Sequence, residues 1–297
     1  MNQPFGYIDL RFPHHVRVLQ RALYGLNQAP CALFQRFSTF FIKFGFVPSR
    51  ADSSLFVCHT FAGTSYLVIY VDDIVVTCNN SQLVTNFLTR LSNEFAMKDL
   101  GALHYFLCIE VQSTSSGLFL SQTKYAVATP MVFGQKLTQA GSLFFNSTLY
   151  RSIVGALQYL VITRPELAYS VNTICQHMHS PSDEHFRAVK CILRYVKGTL
   201  HFGLNLYSHL SWQLLAYSDA DWVSCPDTRH STSGYAIYLG QNLVSWSAKK
   251  QPTVSSSSAE SEYRSLALAA TEVTWLTHLL HDLHISLSAN PTIFCDN

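Results

Sequence analysis

Leu67-Val68-Ile69-Tyr70-Val71-Asp72-Asp73-Ile74-Val75-Val76 sets two adjacent acids between two β-branched apolar runs. Such runs read as strands, and two of them parted only by a carboxylate pair read as a hairpin with both acids at its tip. Asp is expected to take the left-handed backbone of a tight turn. Before this hairpin lies a helical pattern, Cys31 to Phe44, in which aromatics recur at Phe34, Phe37, Phe41 and Phe44. Short strands with one strong helix predict an α+β domain.

A second hairpin is expected from 104–112 and 118–122, with Ser113-Thr114-Ser115-Ser116-Gly117 as its turn. Residues 129–147 are irregular and read as a linker. From 149 to about 197 the pattern is helical, and Ser180-Pro181-Ser182-Asp183 marks a capped helix start with Pro in the first turn. In that helix Phe186, Val189, Leu193 and Val196 form the apolar stripe. Arg187, Lys190, Arg194 and Lys197 run beside it, turned by about 100°. Four cations in a row suit a phosphate backbone, and equally suit a solvated flank. Strands at 203–207, 212–218, 234–239 and 243–247 then precede an amphipathic helix over about 259–283 and a last strand at 292–295.

The chain has 297 residues, 48% of them hydrophobic, which is enough for two real cores. Only 13% are charged and the formal net charge is +2, so affinity for nucleic acid must come from local stripes. The eight cysteines stand singly, with no Cys-x-x-Cys pair, and read as reduced thiols. No basic segment followed by an apolar stretch opens the chain, and no run nears the roughly 18 apolar residues of a membrane span. A soluble, intracellular protein without a membrane partner is expected. The divisions are 1–128, 129–202 and 203–297.

Asp72 and Asp73 are the residue types that hold divalent magnesium or manganese through oxygen, and paired ions align a nucleophile with a phosphoryl group. An Asp pair in a turn is also ordinary turn chemistry. Asp219 and Asp296 each end a predicted strand and Glu262 opens the long helix, so these three acids could meet at one sheet edge. Helix geometry favours Glu262 over Glu260, because Glu262 continues the stripe Leu266, Ala269, Val273, Leu276 and Leu280. Asp221 remains an alternative to Asp219. His278, His281 and His284 read as a wet helix face, as no Cys or carboxylate completes a zinc set.

Several blocks resemble copia-type LTR-retrotransposon Pol polyproteins. They are Arg21-Ala22-Leu23-Tyr24-Gly25-Leu26-Asn27-Gln28-Ala29-Pro30, Tyr70-Val71-Asp72-Asp73, Phe95-Ala96-Met97-Lys98-Asp99-Leu100-Gly101, the segment 103–111, Tyr150-Arg151-Ser152-Ile153-Val154-Gly155, Ser218-Asp219-Ala220-Asp221-Trp222, the segment 229–235 and Ser245-Trp246-Ser247-Ala248-Lys249-Lys250-Gln251. The resemblance implies a reverse transcriptase palm, an antiparallel sheet with helices, and a partial thumb, followed by a ribonuclease H-like α/β domain. It implies catalytic metal ligands at Asp72 and Asp73 in the first site, and at Asp219, Glu262 and Asp296 in the second. Gln28 would line the nucleotide and template pocket, 118–122 would lie near the primer end, and Lys124 with the basic helix would face the duplex. Mg2+ or Mn2+ is the implied cofactor. RNA template, DNA primer, RNA/DNA hybrid and deoxynucleoside triphosphates are the implied partners.

The departures carry expectations too. The family's third catalytic Asp comes from a strand preceding the segment that starts here at Gln3-Pro4, and neither Asp9 nor Asp52 sits in its motif. Asn27, Cys31 and Leu33 stand where Lys, Arg and Trp are common. Lys124-Tyr125-Ala126 runs straight into Val127-Ala128-Thr129, where relatives place a helix and turn. Asn297 follows directly on Asp296, where relatives carry a further acid on a later helix. A chain that does not polymerise DNA by itself is therefore expected, with a non-catalytic nucleic-acid-binding remnant, or the product of a degenerate element, as the alternatives.

Overall fold

The computed structural model describes residues 6, 8–16, 28–71, 73–128, 143–208, 211–225 and 228–296, with the side chains of 127 and 128 excepted. These fall into two compact units, Met1–Asp99 and Leu100–Asn297.

In the first unit α1 (Ala29–Lys43) starts on Pro30, which needs no N–H in a first turn. It is followed by β1 (Val47–Pro48), β2 (Leu55–Thr60), β3 (Gly63–Tyr70), β4 (Asp73–Cys78) and α2 (Ser81–Glu94). The strands form one antiparallel sheet in the order β1-β2-β3-β4. Asn80 caps α2 by accepting from Gln82 N. The recurring aromatics of α1 explain the core: Phe37 and Phe41 are buried with Phe46, Phe56, Phe87 and Phe95, and Leu67 and Ile69 of β3 close the cluster. Phe41 packs edge-on against Phe56 at 5.5 Å and Phe44 against Phe87 at 5.1 Å, the tilted geometry aromatic quadrupoles favour.

The second unit holds β5 (Tyr105–Phe106), β6 (Ile109–Thr114), β7 (Gly117–Ser121), α3 (Thr123–Ala128), α4 (Ser147–Leu160), a 3-10 turn (Pro165–Leu167), α5 (Ala168–Cys175), α6 (Asp183–Gly198) and β8 (Leu204–Tyr207). After these come β9 (Leu214–Asp221), β10 (Thr232–Leu239), β11 (Asn242–Lys250), α7 (Ser258–Asp282) and β12 (Thr292–Cys295). One sheet runs β5-β6-β7-β8 and is antiparallel; the other runs β11-β10-β9-β12, with only β12 parallel to its neighbour.

The compact units divide the chain at a different place from the sequence divisions. Residues 100–128, grouped in the sequence with the first domain, form β5 to β7, and β7 pairs with β8 far along the chain, so both lie in the second unit. Gly117 makes that pairing possible: its φ is 155°, and a Cβ there would meet the Leu206 carbonyl oxygen at 1.9 Å. The turn is also shorter than expected, because Thr114 pairs with Gly117 and leaves only Ser115-Ser116 between the strands. The helical stretch is three helices around one core of Tyr150, Ile153, Leu157, Leu160, Phe186 and Val189. Pro181 precedes the cap of α6 instead of sitting in its first turn: Ser182 is the N-cap, and His185 Nδ1 accepts from Ser182 N to complete a capping box. Helix α3 runs across the junction at 126–127, while 129–142 fall outside the described residues.

Two side chains fasten these parts together. Asn242 accepts from Tyr207 N and donates to Tyr207 O, so its amide acts as one more strand partner between the two sheets. Trp246 Nε1 donates to Val161 O at the end of α4, tying the helices to β11.

Leu107 and Cys108 both have positive φ, 47° and 57°, in the two-residue loop between Phe106 and its partner Ile109. Such loops favour glycine at the second position. Cys108→Gly is therefore expected to stabilise this unit by about 0.5–1 kcal/mol. A urea midpoint that rises at constant slope would show it; an unchanged midpoint would mean the loop is relaxed with cysteine.

Among the described residues no helix is long and apolar enough to cross a membrane.

Candidate active site

In the first unit β3 and β4 pair as a hairpin, with Asp73 inside β4 and Val71 outside β3, where the sequence put Asp73 at the tip and Val71 in the strand. Tyr70 pairs with Asp73, which opens β4 in an exposed position. Asp72 lies outside the described residues. Among the described residues of the hairpin, Val71 takes the left-handed backbone, with φ 52°. A β-branched residue there is strained, of order 1–3 kcal/mol, and is held by the ladder on either side. Gln28 is the exposed N-cap of α1 and makes no side-chain cap bond. The other acids weighed for this site serve local turns: Asp9 Oδ1 accepts from Arg11 N, and Asp52 Oδ1 accepts from the Ser54 N–H and hydroxyl.

The second unit brings its three acids together from three elements. Asp219 lies near the end of β9 and is exposed. Cys295 of β12 pairs with Ser218, so the parallel register places Asp296 beside Asp219. Glu262 comes from α7, whose start is fixed by Ser257 accepting from Glu260 N. Its Oε1 accepts from Ala220 N at 3.1 Å, while its Oε2 is buried with no hydrogen-bond partner. Burial, and then the charges of Asp219 and Asp296, push the Glu262 carboxyl above the usual range, against the pull of the Ala220 N–H. A cavity of about 350 Å³ opens on this edge, lined by Ser218, Asp219, Gly234, Tyr235 and Asp296 among others. As they stand, no three His, Cys, Asp or Glu side chains among the described residues are close enough to enclose a metal.

Glu260 has a different role. It accepts from Ser256 N and from Arg264, and these bonds, that of Ser256 N–H first, hold its carboxyl below the usual range. Asp221 stands 3.5 Å from the Tyr169 hydroxyl of α5. His278, His281 and His284 are exposed at the far end of α7.

The basic stripe of α6 is not uniform in its exposure. Lys190 is buried, 8% exposed, with its ammonium 5.2 Å from the centre of the Phe186 ring. Its stem packs on the apolar stripe, as long side chains beside a core do. Arg187 is half-buried, and Arg194 and Lys197 are exposed. Lys124 donates its backbone N–H to Glu110 and holds its ammonium 5.8 Å from the Tyr105 ring.

Sequence reasoning missed the polar packing under the acids. Ser261 and Ser265 are fully buried where a leucine stripe was expected, and Leu266 is only half-buried. Gln251, 2% exposed, donates to Ser233 Oγ and Ser261 O and accepts from Ser255 Oγ, which fixes the entry to α7. The four-residue spacing of Ser257, Ser261 and Ser265, continued by Ala269, was the available signal.

Residues 1–143 match the reverse transcriptase (RNA-dependent DNA polymerase) family. The whole chain is 44% identical to the retrovirus-related Pol polyprotein from transposon RE2 of Arabidopsis thaliana, of which it spans 21%. It is 30% identical over its whole length to that from transposon TNT 1-94 of Nicotiana tabacum, spanning 24%. An uncharacterized mitochondrial protein of Arabidopsis thaliana is 46% identical over 71% of this chain and 93% of its own length. The chain thus covers less than a quarter of these polyproteins, and its resemblance to them runs over its whole length. It belongs to the copia-type retrotransposon Pol polyprotein family and carries that family's reverse transcriptase domain.

Proposed function

We propose that the second unit hydrolyses the RNA strand of an RNA/DNA hybrid in the manner of ribonuclease H, and that the first carries the nucleotidyl-transfer hairpin of its polymerase. The observation that carries the reading is Glu262 Oε2, a buried carboxylate oxygen left without a partner beside two further acids. Such an atom is costly unless something positive meets it, and a hard divalent cation held by Asp219, Glu262 and Asp296 fits that need. Magnesium or manganese, when bound, would supply Lewis acidity at the phosphate and a more acidic water. The chain's own residues do the rest. Asp219 and Asp296 face an open cavity that admits a phosphodiester, Glu262 is held by Ala220 N–H, and Arg194 and Lys197 are exposed to meet the duplex backbone. In the first unit Asp72 and Asp73 would serve transfer to a DNA primer on an RNA template.

The test is cleavage of a labelled RNA/DNA hybrid with Mg2+ or Mn2+, run beside an Asp219→Asn, Glu262→Gln double variant. Cleavage by the native chain that disappears in the variant supports the reading. Equal cleavage by both would be contaminating nuclease and would sink it.

A second reading is a nucleic-acid-binding module without turnover, favoured by the open spacing of the three acids. Hybrid binding at low salt without cleavage would establish it. In either case Arg194→Ala with Lys197→Ala should flatten the slope of log affinity against log salt by roughly 2, whereas Lys190→Met should leave the slope alone. A change with Lys190→Met as large as with the pair would place the duplex elsewhere.

A further inference from the structure

Helix α7 holds one peptide unit of β9 at both ends. The carbonyl of Asp219 accepts from Ser265 Oγ at 2.7 Å, and the N–H of the same peptide, carried by Ala220, donates to Glu262 Oε1 at 3.1 Å. Gly234 O lies 3.1 Å from the same Oγ and shares its single proton, so one hydroxyl reaches β9 and β10 together. It is fully buried, and Ser261 and Ala269, one turn away on either side, are equally buried. These short side chains let the helix lie close enough for a serine to reach the sheet backbone. A leucine at 265 would hold the helix off and could make neither bond.

We propose that Ser265 is a positioning residue, whose hydroxyl locks the Asp219–Ala220 peptide to α7 and so fixes the Asp219 carboxylate relative to that of Glu262. The inference rests on the ribonuclease H reading for its catalytic meaning, while its structural part stands by itself. Two carboxylates on separate elements can share a cation only if their separation is fixed, and residues that orient ligands typically matter by 10- to 100-fold in affinity or rate. Ser265 supplies that fixing from beneath, and touches neither substrate nor ion.

Ser261 provides the control. It is as buried as Ser265, but its hydroxyl donates to Ser258 O within the helix and does not reach β9. Ser265→Ala and Ser261→Ala remove the same atom from equally buried sites, so a merely structural role would give both the same effects. In hydrogen exchange followed by NMR, Ser265→Ala is expected to speed exchange at the Ala220 amide by about 10-fold, and Ser261→Ala to leave it within about twofold. In hybrid cleavage Ser265→Ala should lower kcat by about 10-fold with KM unchanged. It should also raise by about 10-fold the Mg2+ concentration that half-saturates thermal stabilisation. Ser265→Thr, which keeps the hydroxyl, should recover the protection of Ala220. Unchanged protection in Ser265→Ala, or equal loss in both alanine variants, would overturn the clamp. A native chain that neither cleaves hybrid nor responds to Mg2+ would overturn the ribonuclease reading instead, with the Ala220 amide still deciding the clamp.

Discussion

Glu262→Gln is expected to abolish hybrid cleavage while making the second unit more stable at neutral pH. The first effect follows from removing one of three acids that act as a unit, and a loss on the order of 10³-fold or more is expected. The second follows from the carboxyl being raised in the folded state, by burial first and by Asp219 and Asp296 next. A raised acid favours the protonated form when folded. Its ionisation therefore costs nothing below the unfolded value of about 4.3, and costs progressively more as pH climbs through the folded value. Glutamine is neutral throughout and keeps an acceptor for Ala220 N. The variant should melt roughly 2 °C above the native chain at pH 7, and the difference should vanish by about pH 4. Mg2+ should close the same gap by stabilising the native chain alone. Melting curves at pH 4 and 7, with and without Mg2+, decide it. A variant that is less stable at pH 7 would mean that Glu262 is satisfied as it stands, and the argument from its unpartnered oxygen would fail.

Arg164→Ala is expected to destabilise the second unit by about 3 kcal/mol. The guanidinium is nearly buried, its side chain 4% exposed, and each of its three nitrogens donates a hydrogen bond. Nε donates to Glu166 at 2.5 Å, and the terminal nitrogens donate to the carbonyl and hydroxyl of Thr199 at 3.1 and 2.7 Å. The plane also lies 5.7 Å from Tyr195 and 5.5 Å from Phe202. These contacts join the turn after α4 to the end of α6. Removing one partner of a buried ionic network costs about 3–5 kcal/mol. The lower figure applies here, because Glu166 is 38% exposed and water can take the place of the lost cation. A fall of about 3 kcal/mol, or roughly 6–12 °C in Tm, is expected. Arg164→Lys keeps the charge but not the fork and should recover less than half. Urea denaturation checks both, and a loss below about 1 kcal/mol would show that water already shares this network.

Much of this was legible in the residues. The acidic hairpin, α1 with its phenylalanine core, the long helix and β12 all follow from periodicity and turn chemistry, which are local. The helix angle that separates Glu262 from Glu260 is local as well, and the structure turns Glu262 toward Asp219 and leaves Glu260 to Arg264. What was not legible depends on partners distant in sequence. The pairing of β7 with β8 moved 100–128 into the second unit, and no window of sequence around either strand carries that register. Lys190 reads as a surface cation until Phe186 is seen beneath it. Val71 takes the strained turn position because the strands on either side dictate the loop.

The sequence by itself determined the strands of the acidic hairpin, the aromatic helix α1, the long helix α7, the last strand β12 and the acids offered near their ends, because spacing and side-chain type act over a few residues. Only the tertiary structure decided that Asp219, Glu262 and Asp296 share one edge, that Glu262 Oε2 lies buried without a partner, and that two serines occupy the seam beneath them. Those facts depend on how closely a helix approaches a sheet. That distance is set by packing between residues far apart in the chain.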